Sequence, residues 1–208
     1  MRKVLMVMFM TLDGQAQFPA YDEAPYTNDV EDPMWTPRMG SIDTILLGGN
    51  SYTKWAAYWP QQKDRPGASE FQKQFSRFAD RAEKVVFSKK TQTPTWENSR
   101  IATRKPAEEI AALKSRAGKD IALGGGPRLA QSLLAEDLVD EVLIAVSPSL
   151  VGRGKPLFRT VDDPDFADDV IPKGSPGRHD FVLVEAQGLA DSQVFLHSAK
   201  WLDGEVVM

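Results

Sequence analysis

The sequence predicts an α/β fold, a three-layer αβα arrangement around a mixed, mostly parallel sheet that ends in an antiparallel hairpin. Three observations predict it. Short continuous apolar runs such as VLMVMFM and DTILL read as strands buried on both faces. Amphipathic stretches with helical spacing alternate with those runs, the pattern of helices covering a parallel sheet. Near the C-terminus two strand-like runs follow one another across a short Gly-containing turn, which makes a hairpin.

Residues 4–10 are the first expected strand. The opening MRKVLMVMFMTLDG has the charged start and apolar run of a signal peptide, but no A-x-A-like cleavage site follows. So short a run cannot span a bilayer, and a cytoplasmic protein with no membrane partner is expected. Residues 11–39 are polar and Pro-rich, with a short helix expected near their end. Residues 43–47 form the second strand, closed by Gly48-Gly49. A helix starting near Ser51 carries Tyr52, Trp55 and Tyr58. After a loop over 60–68, Phe71, Phe75 and Phe78 mark a helix over 70–82. Residues 84–88 (KVVFS) and 98–102 are further short strands.

The helix expected over 106–117 is well punctuated. Pro106 suits its first turn, Glu108 and Glu109 its positive end, Lys114 and Arg116 its negative end, and Gly118 can close it. A strand over 120–123, a helix over 127–135 and a strand over 141–146 follow. A loop over 147–178 then leads to the hairpin strands 181–187 and 193–200.

The chain has 208 residues and no Pro/Ser/Gly-rich linker, so a single domain over 1–208 is expected. Net charge is −4 with no long basic run, which argues against nucleic acid as the main partner. Cysteine is absent and the histidines are His179 and His197 alone, so no disulfide and no metal site is expected. A hydrolase reading is weak as well, because G-x-S-x-G is missing.

The stretch IALGGGPRLAQSLL places Gly124-Gly125-Gly126 where a strand hands over to a helix. Backbone N–H groups and the helix N-terminus make such a turn suited to an anion. A tight turn with Pro127 at the first helical position explains the same residues, and the stretch alone leaves both readings open. It is not a P-loop, and Leu129 stands where a dinucleotide fingerprint has its third glycine. Gly48-Gly49 with Asn50 and Ser51 is a second such junction, and Ser88-Lys89-Lys90 closes a third strand. Ligands of open α/β sheets bind outside the strands' carboxyl ends.

Thr11-Leu12-Asp13-Gly14, the strand from Asp43 through Gly48, Ala57-Tyr58-Trp59-Pro60, Lys84 through Ser88, Trp96-Glu97-Asn98, the segment from Gly124 to Glu141, and Gly152-Arg153-Gly154-Lys155-Pro156-Leu157-Phe158 occur in that order. The set resembles the dihydrofolate reductase superfamily. More closely it is similar to stand-alone proteins like the reductase domain of bacterial riboflavin biosynthesis, over nearly the whole chain. The resemblance implies NADPH as cofactor. Gly124, Gly125, Gly126, Pro127, Arg128 and Leu129 would take the pyrophosphate. Gly48, Gly49, Asn50, Ser51 and Tyr52 would hold phosphate and ribose from the other side, and Ser88, Lys89 and Lys90 would meet the adenosine 2′-phosphate.

On the substrate side the resemblance implies an acid on the helix after the first strand, which would hold the ring of a pterin. Asp29, Glu31 and Asp32 are candidates, with Asp32 at the expected separation. Asp13 is the second candidate catalytic acid, and the alternative for it is a turn-shaping role. Phe9, Trp35 and Arg153 are expected to contact the substrate, with Lys155 a further contact to a substrate phosphate. Trp35, Trp55, Tyr58 and Trp59 are at least as well explained as core. The substrate would be a pteridine, pyrimidine or related heterocycle, as in 5-amino-6-(5-phosphoribosylamino)uracil reduction or, next, dihydrofolate reduction. A nucleotide-binding module without chemistry is the alternative, and a homodimer is expected by analogy. One departure stands out: the family commonly has Arg where this chain has Gly49.

Overall fold

In a computed structural model that describes residues 1–17, 34–90, 93–158, 181–188, 194–202 and 205–206, strand β1 (Val4–Thr11) runs through the middle of the main sheet. In chain order it is followed by β2 (Gln15–Gln17), β3 (Ile42–Gly48), helix α1 (Gly49–Tyr58), helix α2 (Glu70–Arg81), β4 (Glu83–Phe87) and β5 (Ser99–Ile101). Next come helix α3 (Pro106–Lys114), β6 (Asp120–Gly125), helix α4 (Pro127–Ala135), β7 (Glu141–Ser147), β8 (Lys155–Pro156), β9 (Phe181–Gly188), β10 (Val194–Leu202) and β11 (Glu205–Val206). The order across the sheet is β11-β10-β7-β1-β6-β3-β4-β5, with β9 on β10. All pairs from β7 to β5 are parallel, and β10 runs antiparallel to β7, β9 and β11. The mixed sheet with its C-terminal hairpin is therefore the one the sequence predicts.

The apolar runs are continuous because both faces of these strands are covered. Leu5, Val7, Ile45, Leu47, Val86, Ala122, Leu143 and Ala145 point to the face that carries α1 and α2. Their neighbours Val4, Met6, Met8, Leu46, Val85, Ile121, Leu123, Val142 and Ile144 point to the face that carries α3 and α4. The first face is aromatic. Phe75 packs against Trp35 at 5.1 Å, Trp55 at 5.5 Å and Trp59 at 4.3 Å between ring centroids. Such pairs contribute about 0.5–1.5 kcal/mol each beyond their buried area.

Helix α2 is fully punctuated. The Ser69 hydroxyl accepts from the Gln72 amide, and the Gln72 side chain accepts from the Ser69 amide, a complete capping box. At its other end the fully buried Lys84 ammonium donates to the Ala79 and Asp80 carbonyls and lies 4.5 Å from the Trp96 ring. Burial pushes this ammonium down to about 8.

Helix α3 stops at Lys114, short of the expected 117. The Leu113 carbonyl accepts from Arg2 Nη1 and from the Arg116 amide in a turn, so the helical ladder does not continue. Within the expected 147–178 loop, β8 pairs with β2 in a two-stranded sheet, and the Leu157 amide donates to Gly14 O at 2.8 Å. Polar strands of two and three residues carry no periodic signal, so the sequence could not announce them.

Replacing Ser69 with Ala is expected to lower stability by about 1 kcal/mol through loss of the cap. Urea unfolding of wild type and S69A measures it, with ligand binding unchanged because α2 lies away from the cavity described next.

Candidate functional site

Strands β3 and β6 are adjacent and parallel, and each passes into a helix at its carboxyl end. Gly124 has no partner on β3, so the register shifts there and Gly125 sits opposite Leu47. The two junctions touch: a side-chain carbon on Gly126 would lie 3.6 Å from the Gly48 backbone. Gly126, the residue before α4, has φ 104° and ψ 96°, a conformation that L side chains avoid.

Both helices begin open. Neither α1 nor α4 has a side-chain cap, and neither has an acid in its first turn. Their first amides have no intrahelical partner, and the helix dipoles place positive partial charge at the same spot. The capped α2 is the contrast within the same molecule.

Above the junctions lies a cavity of about 640 Å³. Buried Val7, Met8, Trp35, Trp55 and Leu129 form its floor. Its rim carries Lys54, Lys89, Lys90, Arg104, Arg128 and Lys155, and no carboxylate is among the described residues that line it. An apolar floor with a cationic, amide-rich rim fits a ligand with flat rings and several phosphates.

Most of the residues expected from the sequence meet here. Gly48, Gly49, Asn50, Ser51, Ser88, Lys89, Lys90, Gly124, Gly125, Gly126, Pro127, Arg128, Leu129, Phe9 and Trp35 all line the cavity. Gly49 has a local reason: a side-chain carbon there would come within 2.5 Å of Ser88 Oγ and 2.9 Å of Ser88 Cβ. The end of β4 thus closes against the start of α1.

Three expected residues stand elsewhere. Tyr52 is buried beneath the helix, where its hydroxyl accepts from the Trp96 amide at 2.9 Å. Arg153 is exposed and lies off the cavity, and Lys155, set by β8, lines it instead. Asp13 joins two loops. Its carboxylate accepts from Thr11 Oγ1 and from the amides of Val151, at 3.2 Å, and Gly152, at 2.7 Å. The Thr11 hydrogen bond, then that of Gly152, hold this carboxyl below the usual range. Asp29, Glu31 and Asp32 lie outside the described residues.

Lys54, Arg104 and Ser132 were not expected. Lys54 follows Ser51 by three residues, so helical spacing could have placed it on the same face. Arg104 needed the strand order, because only the pairing of β5 with β4 brings it to the rim. Among the described residues no cluster of His, Cys, Asp or Glu is arranged to hold a metal, and no helix is long and apolar enough to cross a membrane.

Residues 2–168 match the family model of the RibD C-terminal domain, and the chain belongs to that family. It is 31% identical over 157 residues to the uncharacterized protein YyaP of Bacillus subtilis strain 168, covering 76% of this chain and 80% of YyaP. Among solved structures, a pyrimidine reductase-like protein from Corynebacterium diphtheriae superposes with a TM-score of 0.62 at 15% identity, over 97% of this chain and 93% of that one. A diaminohydroxyphosphoribosylaminopyrimidine deaminase/5-amino-6-(5-phosphoribosylamino)uracil reductase from Thermotoga maritima does so with a TM-score of 0.63 at 19% identity, over 96% of this chain and 57% of that one. These likenesses establish a dihydrofolate reductase-like fold.

Two outcomes follow from this geometry. Gly49→Ala is expected to destabilise the protein by about 1–3 kcal/mol through overpacking, and Ser88→Gly in the same chain should recover most of the loss. A double-mutant cycle by chemical unfolding measures the coupling. The lowered Asp13 carboxyl means that its clip is intact above the usual carboxylate range and is lost as pH falls through the lowered value. Amide exchange of Val151 and Gly152 should speed up in that acid window in wild type, and should be fast and flat with pH in Asp13→Asn.

Proposed function

We propose that this chain is an NADPH-dependent reductase acting on a pteridine, pyrimidine or related heterocycle. The observation that carries this reading is the meeting of two uncapped helix N-termini under a cationic rim free of described carboxylates. A dinucleotide fits that arrangement. The amides at the starts of α1 and α4 would hold its pyrophosphate, Asn50 and Ser51 the neighbouring ribose, and Ser88, Lys89 and Lys90 the 2′-phosphate. When bound, the cofactor supplies hydride from its nicotinamide ring. Phe9, Val7, Trp35 and Trp55 offer flat apolar walls that orient rings and keep water away. Lys155, which lines the cavity, would be suited to a substrate phosphate. Family membership supports reduction of the riboflavin-pathway type, and reduction of 5-amino-6-(5-phosphoribosylamino)uracil, whose ribosyl group would take up hydride and a proton to become the ribityl group, leads the candidate reactions; dihydrofolate is the next substrate to try.

One observation favours a second reading, a nucleotide-binding module without turnover. The Asp13 carboxylate is engaged by three donors, and no described carboxylate faces the cavity to deliver a proton.

Tryptophan fluorescence titration with NADPH and NADH, on wild type and Lys89→Ala, tests the cofactor. Expected is clear preference for NADPH, with a loss of about tenfold, or about 1.4 kcal/mol, in the variant. No saturation by either nucleotide at millimolar concentration would overturn the reductase reading. Loss of reduced-nicotinamide absorbance with a heterocyclic substrate then separates an enzyme from a binding module.

A further inference from the structure

Beyond the paired helix termini, β4 and β5 finish side by side. Val86 pairs with Ile101, and the Ala102 amide donates to Val86 O at 2.9 Å. The residues that follow, Ser88-Lys89-Lys90 and Arg104, therefore leave the sheet as neighbours, and all of them line the cavity. Ser88 Oγ accepts from the Lys90 amide at 3.1 Å, which curls this turn. Strands in a sheet are spaced by about 4.8 Å, so the β4–β5 end lies about 10 Å from the β3–β6 junctions. That is room for one nucleoside between two phosphate sites.

Arg104 is held there in an unusual way. Its Nη1 lies 3.9 Å from Glu109 Oε2, an ion pair beyond hydrogen-bonding distance. The Glu109 side chain is 1% exposed. Its Oε1 accepts from Arg100 Nη2 at 2.6 Å, and its Oε2 accepts no hydrogen bond among the described residues. The buried carboxylate thus draws Arg104 by charge while leaving its N–H fork unused. Among the described residues the Arg104 guanidinium donates no hydrogen bond.

The charges differ between the two ends. A pyrophosphate oxygen pair needs the amides and partial charges of two helix termini. A phosphate monoester carries close to two negative charges near neutral pH, and here Lys89, Lys90 and Arg104 face it, with Glu109 already matched by Arg100.

We propose that Arg104 is a specificity-determining residue: oriented by the buried Glu109, it completes with Lys89 and Lys90 a receptor for the phosphate monoester on the adenosine ribose of the dinucleotide. This rests on the reductase reading above and adds to it the residue that separates phosphorylated from unphosphorylated cofactor.

The test titrates wild type, Arg104→Ala and Arg104→Lys with 2′,5′-ADP, ADP and ribose 5-phosphate. Arg104 is 53% exposed, so its removal leaves the core intact, and thermal melts of the variants check this. Expected is a loss of about tenfold for 2′,5′-ADP in Arg104→Ala, with ADP little changed. Arg104→Lys recovers part of the loss, because an ammonium keeps the charge but not the fork. Equal losses for the two nucleotides, or none for either, would overturn the Arg104 assignment and leave the cofactor reading standing. Failure of wild type to bind either nucleotide overturns both. Ribose 5-phosphate binding that depends on Arg104 would assign the receptor to a substrate phosphate and overturn the proposal.

Discussion

Parallel pairing of β3 with β6 is the constraint on which the site depends. It aligns two strand ends that lie far apart in sequence, and it does so in one direction, so both strands pass into a helix at the same edge of the sheet, one on each face. Two consequences follow at once. The glycines of both turns come into contact, and the open amides of α1 and α4 converge. A register slip would separate them. The bulge at Gly124 sets the level at which Gly125 meets Leu47, and the continuous apolar faces of both strands hold that register against the cores on either side.

The sheet is also electrically sorted along its strands. Acids stand at the amino ends: Asp43 at the start of β3, Glu83 of β4, Asp120 of β6 and Glu141 of β7. There Asp43, Glu141 and Glu83 meet Arg2, Lys3, Arg100 and Arg116 in ion pairs, and Asp120 accepts from the Lys3 amide. The carboxyl ends carry the six rim cations instead. A chain with net charge −4 thus presents a positive mouth, and the field of such a mouth draws anions toward it from a distance.

The sheet and its helices were legible because burial on two faces writes long apolar runs, and helices write punctuation such as Pro106 and Pro127. The glycine junctions were legible for a related reason: flexible residues at the end of a buried run need an explanation. Two cations of the rim, Lys54 and Arg104, were not. Arg104 reaches the cavity through a strand pairing that no local pattern encodes, and β2 and β8 are too short and polar to show a period. Tyr52 looked like part of the Ser51 turn, but helical rotation turns it inward to cap the Trp96 amide. Asp13 sits in a turn that sequence marks clearly, yet its carboxylate faces amides of the 151–152 segment, a partner visible only in three dimensions.

The two open helix termini carry a further implication. Each holds roughly half a positive charge, and the fold presses them together with no acid between them. Like partial charges so close together repel at the carboxyl ends of β3 and β6. An anion that settles there relieves the repulsion, and binding to the folded state alone adds stability that grows with the logarithm of ligand concentration, about 2.7 kcal/mol at a hundred times the dissociation constant. Resistance to unfolding, and with it survival against proteolysis, becomes a gauge of how much of that anion surrounds the molecule.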